Sequence, residues 1–249
     1  MRHSEVIKVE ENTPTVKTIY FEWEQDAKPG QFIMAWVPGT GEIPISLSST
    51  DTTKSITVKS YGPASDAITK LTKGSRIFFR GPYGRAFSPV TGPTLLVGGG
   101  SGMASLKPLI TMDTDAIISA RTAAELLFSD RIKGGKLFEV TDDGSAGIQG
   151  NPMDALSTLD LEKYKMIYVC GPEIMLKKVY DFLNGKQIRA EFAMERLMKC
   201  GIGVCDSCSI DGFQLCRDGS IFSIEELREM TEFGRTKLTE SGKRVYLNY

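Results

Sequence analysis

The chain has 249 residues, of which 41% are hydrophobic and 24% are charged, as in ordinary globular proteins. Thirty basic residues nearly balance thirty-one acidic ones, which argues against a nucleic-acid-binding protein and against a polybasic membrane-binding surface. The single histidine is His3, which we expect in a frayed N-terminus. A histidine base, a catalytic triad and a histidine-built metal site are therefore disfavoured. We assign no catalytic side chain and expect chemistry based on cofactors or cysteines.

The sequence also bears on the compartment. It contains no apolar run of about 18 residues, and its first ten residues lack the features of a secretion signal. We therefore expect no membrane span and a cytoplasmic location. Because thiols stay reduced there, clustered cysteines indicate metal ligands rather than disulfides.

Residues 1–90 are predicted to form a small β-barrel. From Thr15 to Trp23 apolar and polar side chains alternate, which is typical of a strand with one buried face. One helix is predicted over Ala64–Leu71. Further strands, separated by Pro/Gly turns, are predicted over Gln31–Val37, Ser55–Ser60 and Arg76–Phe79.

Residues 91–194 alternate short apolar runs with helical patterns, which predicts βαβ units and a parallel sheet. The predicted strands are Thr94–Val97, Asp115–Ala120, Lys136–Val140, Met166–Val169 and Ile188–Phe192. The predicted helices are Met103–Met112, Ala123–Phe128, Pro152–Leu159 and Glu173–Asn184.

Residues 195–249 form a C-terminal segment with four of the five cysteines. A hairpin is predicted around Asp218-Gly219, and a capping box at Ser223–Glu226 predicts a helix that ends at Met230. The predicted fold is thus a β-barrel domain, an α/β parallel-sheet nucleotide domain and a small cysteine-bearing segment.

Cys200, Cys205, Cys208 and Cys216 follow the spacing C-x4-C-x2-C-x7-C, and C-x4-C-x2-C…C is typical of plant-type [2Fe-2S] ferredoxins. Two glycines between the first two cysteines allow the backbone to wrap closely around a cluster. The alternative is a structural zinc site with four thiolates, but its usual two C-x2-4-C pairs are missing. We favour the iron–sulfur cluster, and the lack of a nearby histidine excludes a Rieske centre.

Gly98, Gly99, Gly100 and Gly102 lie between a predicted strand and a predicted helix. Free backbone N–H groups at such a turn favour a nucleotide phosphate. A glycine-rich turn without a ligand is the alternative, since neither G-x-G-x-x-G nor a Walker A motif is present. Cys170 ends another predicted strand, where α/β sheets bind ligands, although a buried small hydrophobe is the alternative for it.

The three regions in this order resemble the ferredoxin–NADP reductase superfamily, in which a barrel holds a flavin and an α/β domain holds a nicotinamide dinucleotide. The motifs that carry the resemblance are Pro29-Gly30-Gln31-Phe32, Gly81-Pro82-Tyr83-Gly84, Gly98 to Ala104 and Cys170 to Met175. The stretch from Glu195 to Cys208, with Cys216 to Phe222, is similar to the electron-transfer subunits of NAD-linked dihydroorotate dehydrogenases.

This resemblance implies FAD, a [2Fe-2S] cluster and NAD as cofactors, although the residues themselves do not distinguish FAD from FMN or NAD from NADP. The implied flavin contacts are Pro44, Ile45, Ser46, Thr57, Val58, Lys59, Ala64 and Ser65. The implied dinucleotide contacts are Gly98, Gly99, Gly100, Gly102, Cys170, Gly171 and Pro172. Ile43 stands where the family's R-P-x-S motif has an arginine, so we expect either weaker flavin binding or another group, such as Lys59, at the flavin phosphates. For Lys59 alone, a solvated surface lysine is the alternative. For Thr57–Lys59 an ordinary barrel strand is the alternative.

The resemblance also implies a separate catalytic subunit that oxidises dihydroorotate in pyrimidine biosynthesis. Electrons would reach the cluster singly, and FAD would pass a hydride to NAD+. The expected partners are that subunit and a nicotinamide dinucleotide, with no nucleic acid. Two alternatives remain open. One is a related flavin/iron–sulfur subunit of an NADH–ferredoxin–NADP oxidoreductase, a sulfide dehydrogenase or a hydrogenase, and the other is a scaffold without cofactors.

Overall fold

Six antiparallel strands close into a barrel in the order β1-β2-β5-β4-β3-β6 in the computed structural model, which describes residues 2–247. Met1, Asn248 and Tyr249, at the ends of the predicted regions, lie outside the described residues. Helix α1 (Pro63–Thr69) connects β5 to β6. The strands are β1 (Arg2–Thr13), β2 (Val16–Glu22), β3 (Phe32–Trp36), β4 (Ile43–Ser49), β5 (Thr53–Lys59) and β6 (Arg76–Tyr83).

The barrel interior is filled from alternate positions of its strands. Ile19 and Phe21 on β2 are fully buried, and the Phe21 ring packs 5.1 Å from the ring of Phe79 on β6. This confirms the predicted apolar face, although Thr18, predicted on the opposite face, is fully buried as well. His3 lies in β1 opposite Phe78 on β6. The prediction of a frayed N-terminus is therefore wrong, because β1 is needed to close the barrel.

The second unit is a seven-stranded sheet in the order β10-β9-β8-β7-β11-β12-β15. Its first six strands are parallel, and every residue of the central strand β7 is buried, as expected for a sheet covered on both faces. The predicted fold class is confirmed. The strands are β7 (Thr94–Gly99), β8 (Thr114–Ala120), β9 (Leu137–Thr141), β10 (Ile148–Gln149), β11 (Met166–Cys170) and β12 (Ala190–Ala193).

Three helices pack on this sheet: α2 (Met103–Leu106), α3 (Pro152–Leu156) and α4 (Glu173–Leu183). Three predicted helices are longer than the observed ones, and the first of them is α3, which ends at Leu156 and not at Leu159. α2 gives way to a 3-10 turn over Lys107–Leu109, where Pro108 has no N–H to continue the α-helical hydrogen bonds. The segment predicted as helix Ala123–Phe128 contains only the 3-10 turn Ala123–Glu125.

The C-terminal segment contains a small hairpin, β13 (Ser209–Ile210) with β14 (Phe213–Gln214), and a last hairpin, β16 (Thr236–Leu238) with β17 (Arg244–Tyr246). The hairpin predicted around Asp218-Gly219 is wrong, because β15 (Ile221–Ser223) pairs antiparallel with β12 and buries Phe222 in the large sheet. Helix α5 (Ile224–Arg228) begins at the predicted capping box, where Ser223 Oγ accepts from Glu226 N at 3.2 Å. Within residues 2–247, no helix is long and apolar enough to cross a membrane.

Candidate functional site

A cavity of about 480 Å³, which we call the barrel cavity, opens where β4, β5 and the start of α1 face the sheet. Ser101, Ala104 and Ser105 line it from the sheet side, and Met194 and Glu195 line it from the chain after β12. All of the residues predicted to contact a flavin line this one space: Pro44, Ile45, Ser46, Thr57, Val58, Lys59, Ala64 and Ser65.

Two hydroxyls in that wall already have partners. Thr57 Oγ1 lies 2.9 Å from Thr18 Oγ1 and donates to Ser48 Oγ at 2.9 Å inside the barrel. Ser65 Oγ accepts from the backbone N–H of Tyr61 at 2.9 Å and of Gly62 at 3.0 Å, which caps α1. We therefore expect Thr57 to meet a ligand mainly through its backbone.

The cationic side chains of the barrel cavity are Lys59 and Arg196. Arg196 is only 5% exposed, and its guanidinium is paired with Glu173 on α4. Lys59 Nζ makes one ion pair, 3.1 Å from Glu125 Oε1, which joins the barrel to the sheet unit. Ile43 lines the wall at the position where an arginine would add a further charge. Lys59 is thus the cation best placed to meet a phosphate.

A second cavity of about 560 Å³, the sheet cavity, lies at the carboxyl ends of β7, β8 and β11. Five of the residues predicted to contact a dinucleotide line it: Gly99, Gly100, Gly102, Gly171 and Pro172. Arg121 and Asp142 line it at the ends of β8 and β9. Four residues line both cavities, so the two cavities meet: Lys59, Tyr61, Ser101 and Glu195.

Gly102 is required by the close approach of two turns. A Cβ atom at Gly102 would lie 2.5 Å from the carbonyl oxygen of Cys170, a separation that real Cβ atoms do not tolerate. The glycine turn and the Cys170-Gly171-Pro172 turn are therefore in direct contact. This contact forms one continuous wall from two segments about 70 residues apart in the sequence.

The structure does not place Gly98 or Cys170 on the wall of either cavity. Both are buried, at the paired ends of β7 and β11. Burial raises the pKa of the Cys170 thiol to about 12, so it stays protonated. We infer that these two residues support the sheet cavity from behind.

The loop from Cys200 to Cys216 directs backbone N–H groups at its thiols. Cys200 Sγ accepts from the backbone N–H of Ile202, Val204 and Cys205 at 3.4 to 3.5 Å. Gly203, at φ +74°, donates its N–H to Cys216 Sγ at 3.1 Å, and this left-handed conformation favours glycine. Such donors stabilise thiolate sulfur. They support the metal-ligand role that the cysteine spacing predicted.

The four thiols fall into two pairs. Cys200 and Cys205 interact through their side chains, and Cys208 and Cys216 do the same. Burial alone would raise the pKa of Cys200, but the three N–H donors outweigh it and lower the pKa to about 6. Burial and the neighbouring Cys208 raise the pKa of Cys216 to about 12. Two thiols for each of two irons is the donor set of a [2Fe-2S] cluster, so these residues fit that group.

No group of three or more His, Cys, Asp or Glu side chains within residues 2–247 is arranged to hold a single metal ion.

The cysteine loop is attached to the barrel by Arg80, which donates to the carbonyl oxygen of Cys200 at 3.0 Å and pairs with Glu42.

Sequence reasoning missed Arg80, Asp142 and Glu195 as residues of these sites. Glu195 opens the motif that supported the resemblance, but its residue type alone assigned it no role. Arg80 and Asp142 carry no local signal, because only the folded topology brings them to the cysteine loop and to the sheet cavity.

The barrel, the adjoining parallel sheet and the thiol loop place the chain in the class of ferredoxin reductase-like oxidoreductases. The solved NADH-dependent reduced ferredoxin-NADP oxidoreductase, described for flavin-based electron bifurcation, is 26% identical with a TM-score of 0.79 and covers 91% of this chain and 90% of its own. The ferredoxin reductase of carbazole 1,9a-dioxygenase is 22% identical with a TM-score of 0.64, over 75% of this chain and 65% of its own, and shares the fold.

The particular family follows from closer relatives. Residues 195–228 match the iron–sulfur cluster binding domain of dihydroorotate dehydrogenase B. A probable dihydroorotate dehydrogenase B (NAD(+)) electron transfer subunit of Thermoplasma acidophilum is 52% identical over 248 residues, covering 100% of this chain and 99% of the relative. Its counterpart in Thermoplasma volcanium is 50% identical over 245 residues, covering 97% and 98%. The chain belongs to the family of dihydroorotate dehydrogenase B electron transfer subunits, which confirms the resemblance, and it is an oxidoreductase component.

Proposed function

We propose that this chain passes electrons from a dihydroorotate-oxidising partner subunit through a [2Fe-2S] cluster and FAD to NAD+, in pyrimidine biosynthesis. The main support is that three candidate cofactor sites occur in one chain. The cysteine loop directs backbone N–H groups at its thiols, and the barrel cavity meets the sheet cavity. Two relatives named as probable dihydroorotate dehydrogenase B (NAD(+)) electron transfer subunits match this chain over nearly their whole length.

Each site is assigned to one group. Cys200, Cys205, Cys208 and Cys216 would hold the cluster. The barrel cavity holds FAD against Pro44, Ile45, Ser46, Thr57, Val58, Lys59, Ala64 and Ser65. The sheet cavity holds NAD against Gly99, Gly100, Gly102, Gly171 and Pro172, with Gly98 and Cys170 behind it. Bound there, the cluster carries single electrons and FAD exchanges both single electrons and a hydride.

The protein residues bind and orient these groups. The N–H donors of the cysteine loop stabilise its thiolates, and Lys59 contributes positive charge where the barrel and sheet cavities meet. Cys170 keeps its proton and acts as a packing and positioning group, not as a nucleophile. Dihydroorotate is oxidised on the partner, and no catalytic side chain of this chain is assigned to that step.

We also propose three functional regions: a flavin-binding barrel over 1–90, a dinucleotide-binding unit over 91–194 and a cluster segment over 195–249. The regions are interlocked, since β15 of the last one pairs with β12 of the second. A cytoplasmic location is proposed because a cluster held by thiolates needs a compartment that keeps cysteines reduced.

The related NADH-dependent ferredoxin-NADP oxidoreductase supports a second candidate function, a flavin/iron–sulfur subunit of a complex with another catalytic partner. It ranks lower because that protein is 26% identical, whereas the dihydroorotate dehydrogenase B relatives reach 52% and 50%.

The test is purification of the full chain together with a candidate dihydroorotate-oxidising subunit, followed by cofactor analysis. We expect about two irons, two acid-labile sulfides and one FAD per copy of this chain. We also expect NAD+ reduction by dihydroorotate that requires both subunits. One zinc per chain without labile sulfide would contradict the cluster, and activity with a different electron donor alone would favour the second candidate.

A further inference from the structure

Arg80, on the last barrel strand β6, makes two kinds of contact with its guanidinium. Nη2 donates to the carbonyl oxygen of Cys200 at 3.0 Å, although the two residues are 120 positions apart in the sequence. Nε and Nη2 also donate to the carboxylate of Glu42, at 2.8 Å and 2.5 Å. The Arg80 side chain is only 25% exposed and that of Glu42 only 20%. The pair is therefore largely shielded from water, and the guanidinium keeps its positive charge there.

The Arg80–Glu42 pair connects the cysteine loop to the wall of the barrel cavity. Glu42 immediately precedes β4, whose first residues line that cavity. On the loop side, a Cβ atom added at Gly201 would lie 2.8 Å from Cγ of Met34 on β3, so the loop backbone rests directly on the barrel. Arg80 thus contacts the proposed cluster site at the place where that site adjoins the flavin-binding barrel.

The positive charge of Arg80 lies beside a site that would be negative when filled. A [2Fe-2S] cluster held by four thiolates is an anion, and one-electron reduction adds a further negative charge. Arg80 is hydrogen-bonded to the backbone of a ligand residue, Cys200, whereas Glu42 makes no hydrogen bond to the cysteine loop within residues 2–247. The positive partner of the pair is therefore the one that contacts the loop. In a shielded position it should stabilise the reduced cluster more than the oxidised one.

Arg217 is a second arginine at the same loop, next to the ligand residue Cys216 in the sequence. Like Arg80 it is paired with a carboxylate, that of Asp218, at 2.7 Å. Its side chain is 60% exposed, so water and salt screen its charge. The loop therefore has the same kind of ion pair in a shielded and in an exposed setting.

We propose that Arg80 is a positioning residue that fixes the cysteine loop on the barrel and raises the reduction potential of the cluster held there. The inference rests on the proposed function. Glu42 opposes the effect on the potential, because its negative charge partly cancels that of Arg80. The pair thereby sets how readily the loop accepts an electron from the partner subunit.

The test is a redox titration of the full chain, purified anaerobically with its cluster and flavin. Dithionite supplies electrons through mediator dyes, and electron paramagnetic resonance measures the ratio of reduced to oxidised cluster. At the midpoint potential of the wild type, we expect this ratio to fall by at least about threefold in Arg80→Met and to rise by at least about twofold in Glu42→Gln. Arg80→Lys keeps the charge and should restore most of the ratio. Arg217→Met is the matched control and should change the ratio by less than about 1.5-fold.

The opposite signs separate an effect of charge from a general disturbance of the loop, which would move both variants in the same direction. An unchanged ratio in Arg80→Met and Glu42→Gln, or a change of the same sign in both, overturns the inference and leaves the proposed function intact. An equal fall in Arg217→Met also overturns it. If Arg80→Met does not retain its cluster, Glu42→Gln decides, and the absence of a rise there overturns the inference. A wild-type chain without any reduced-cluster signal contradicts the proposed function itself.

Discussion

The cysteine loop and the pair of cavities solve the problem of cofactor binding in different ways. The loop draws all of its ligands from residues 200–216, within one short segment. The cavities draw their walls from segments between Val16 and Ser220, on the barrel, the sheet and the C-terminal segment. A local site is specified by residue type and spacing, whereas a distributed site is specified by topology, so the two should fail differently when changed.

The largest expected effect comes from removing one cluster ligand. Cys208 is buried and interacts with Cys216, so Cys208→Ser should leave one iron without its second thiolate. We expect nearly complete loss of iron and labile sulfide with FAD retained, measured by metal analysis and absorbance. Cys170→Ser is the control, and it should keep the cluster because Cys170 lies in the core behind the sheet cavity. A full cluster in Cys208→Ser would contradict the assignment.

The distributed site should instead be sensitive to backbone contact. Gly102→Ala would push a Cβ atom to 2.5 Å from the Cys170 carbonyl oxygen and force the two turns apart. We expect a loss of stability of about 1–3 kcal/mol, together with weakened NAD+ binding. Thermal unfolding and NAD+ titration measure these effects. Gly41→Ala, where a Cβ atom meets nothing within 4 Å, should change neither, and equal behaviour of the two variants would count against the turn contact.

A single charge in the distributed site should have a smaller effect. Lys59→Met removes the cation best placed for the flavin phosphates, so FAD affinity should fall by about fivefold to tenfold. The difference should shrink as salt is added, since salt screens the interaction. Reconstitution of flavin-stripped protein measures it. Lys17→Met, which removes a lysine paired with Glu11, is the control on the same barrel. An equal loss of FAD affinity in Lys17→Met would contradict a specific role of Lys59 in flavin binding.

The smallest effect is expected at an exposed ion pair outside both regions, which joins the chain after the barrel to α5. Arg85 on the chain after the barrel pairs with Glu226 on α5, and this partner lowers the pKa of the Glu226 carboxyl. The pair is more than one-third exposed, so Arg85→Met should cost at most about 1 kcal/mol. Because the folded pKa lies below the ordinary 4.5, this stability is present above pH 4.5 and is lost as pH falls through the lowered value. Wild type and variant should therefore converge in acid, and a difference that persists there would have another origin.

The same contrast explains what the sequence could predict. The four cysteines and the capping box at Ser223 are local patterns, and the sequence identified them directly. The barrel and the parallel sheet followed from periodicity. A strand at Ser220–Phe222 was predicted as one arm of a hairpin, but its true partner could not be, because β12 is about 30 residues away and a turn signal at Asp218-Gly219 pointed to a nearer one. Arg80 and Asp142 were missed for a similar reason, because only the folded topology brings them to the cysteine loop and to the sheet cavity.

The central claim is that this chain receives electrons at the cysteine loop and delivers them at the cavities. Its most direct test is an anaerobic titration of the purified two-subunit complex with dihydroorotate, followed by absorbance and electron paramagnetic resonance. We expect dihydroorotate to reduce both the cluster and the flavin of this chain, and NAD+ then to reoxidise both. In the Cys208→Ser complex we expect this flavin to stay oxidised. Rapid reduction of this flavin by dihydroorotate in the Cys208→Ser complex would contradict the proposed route of the electrons.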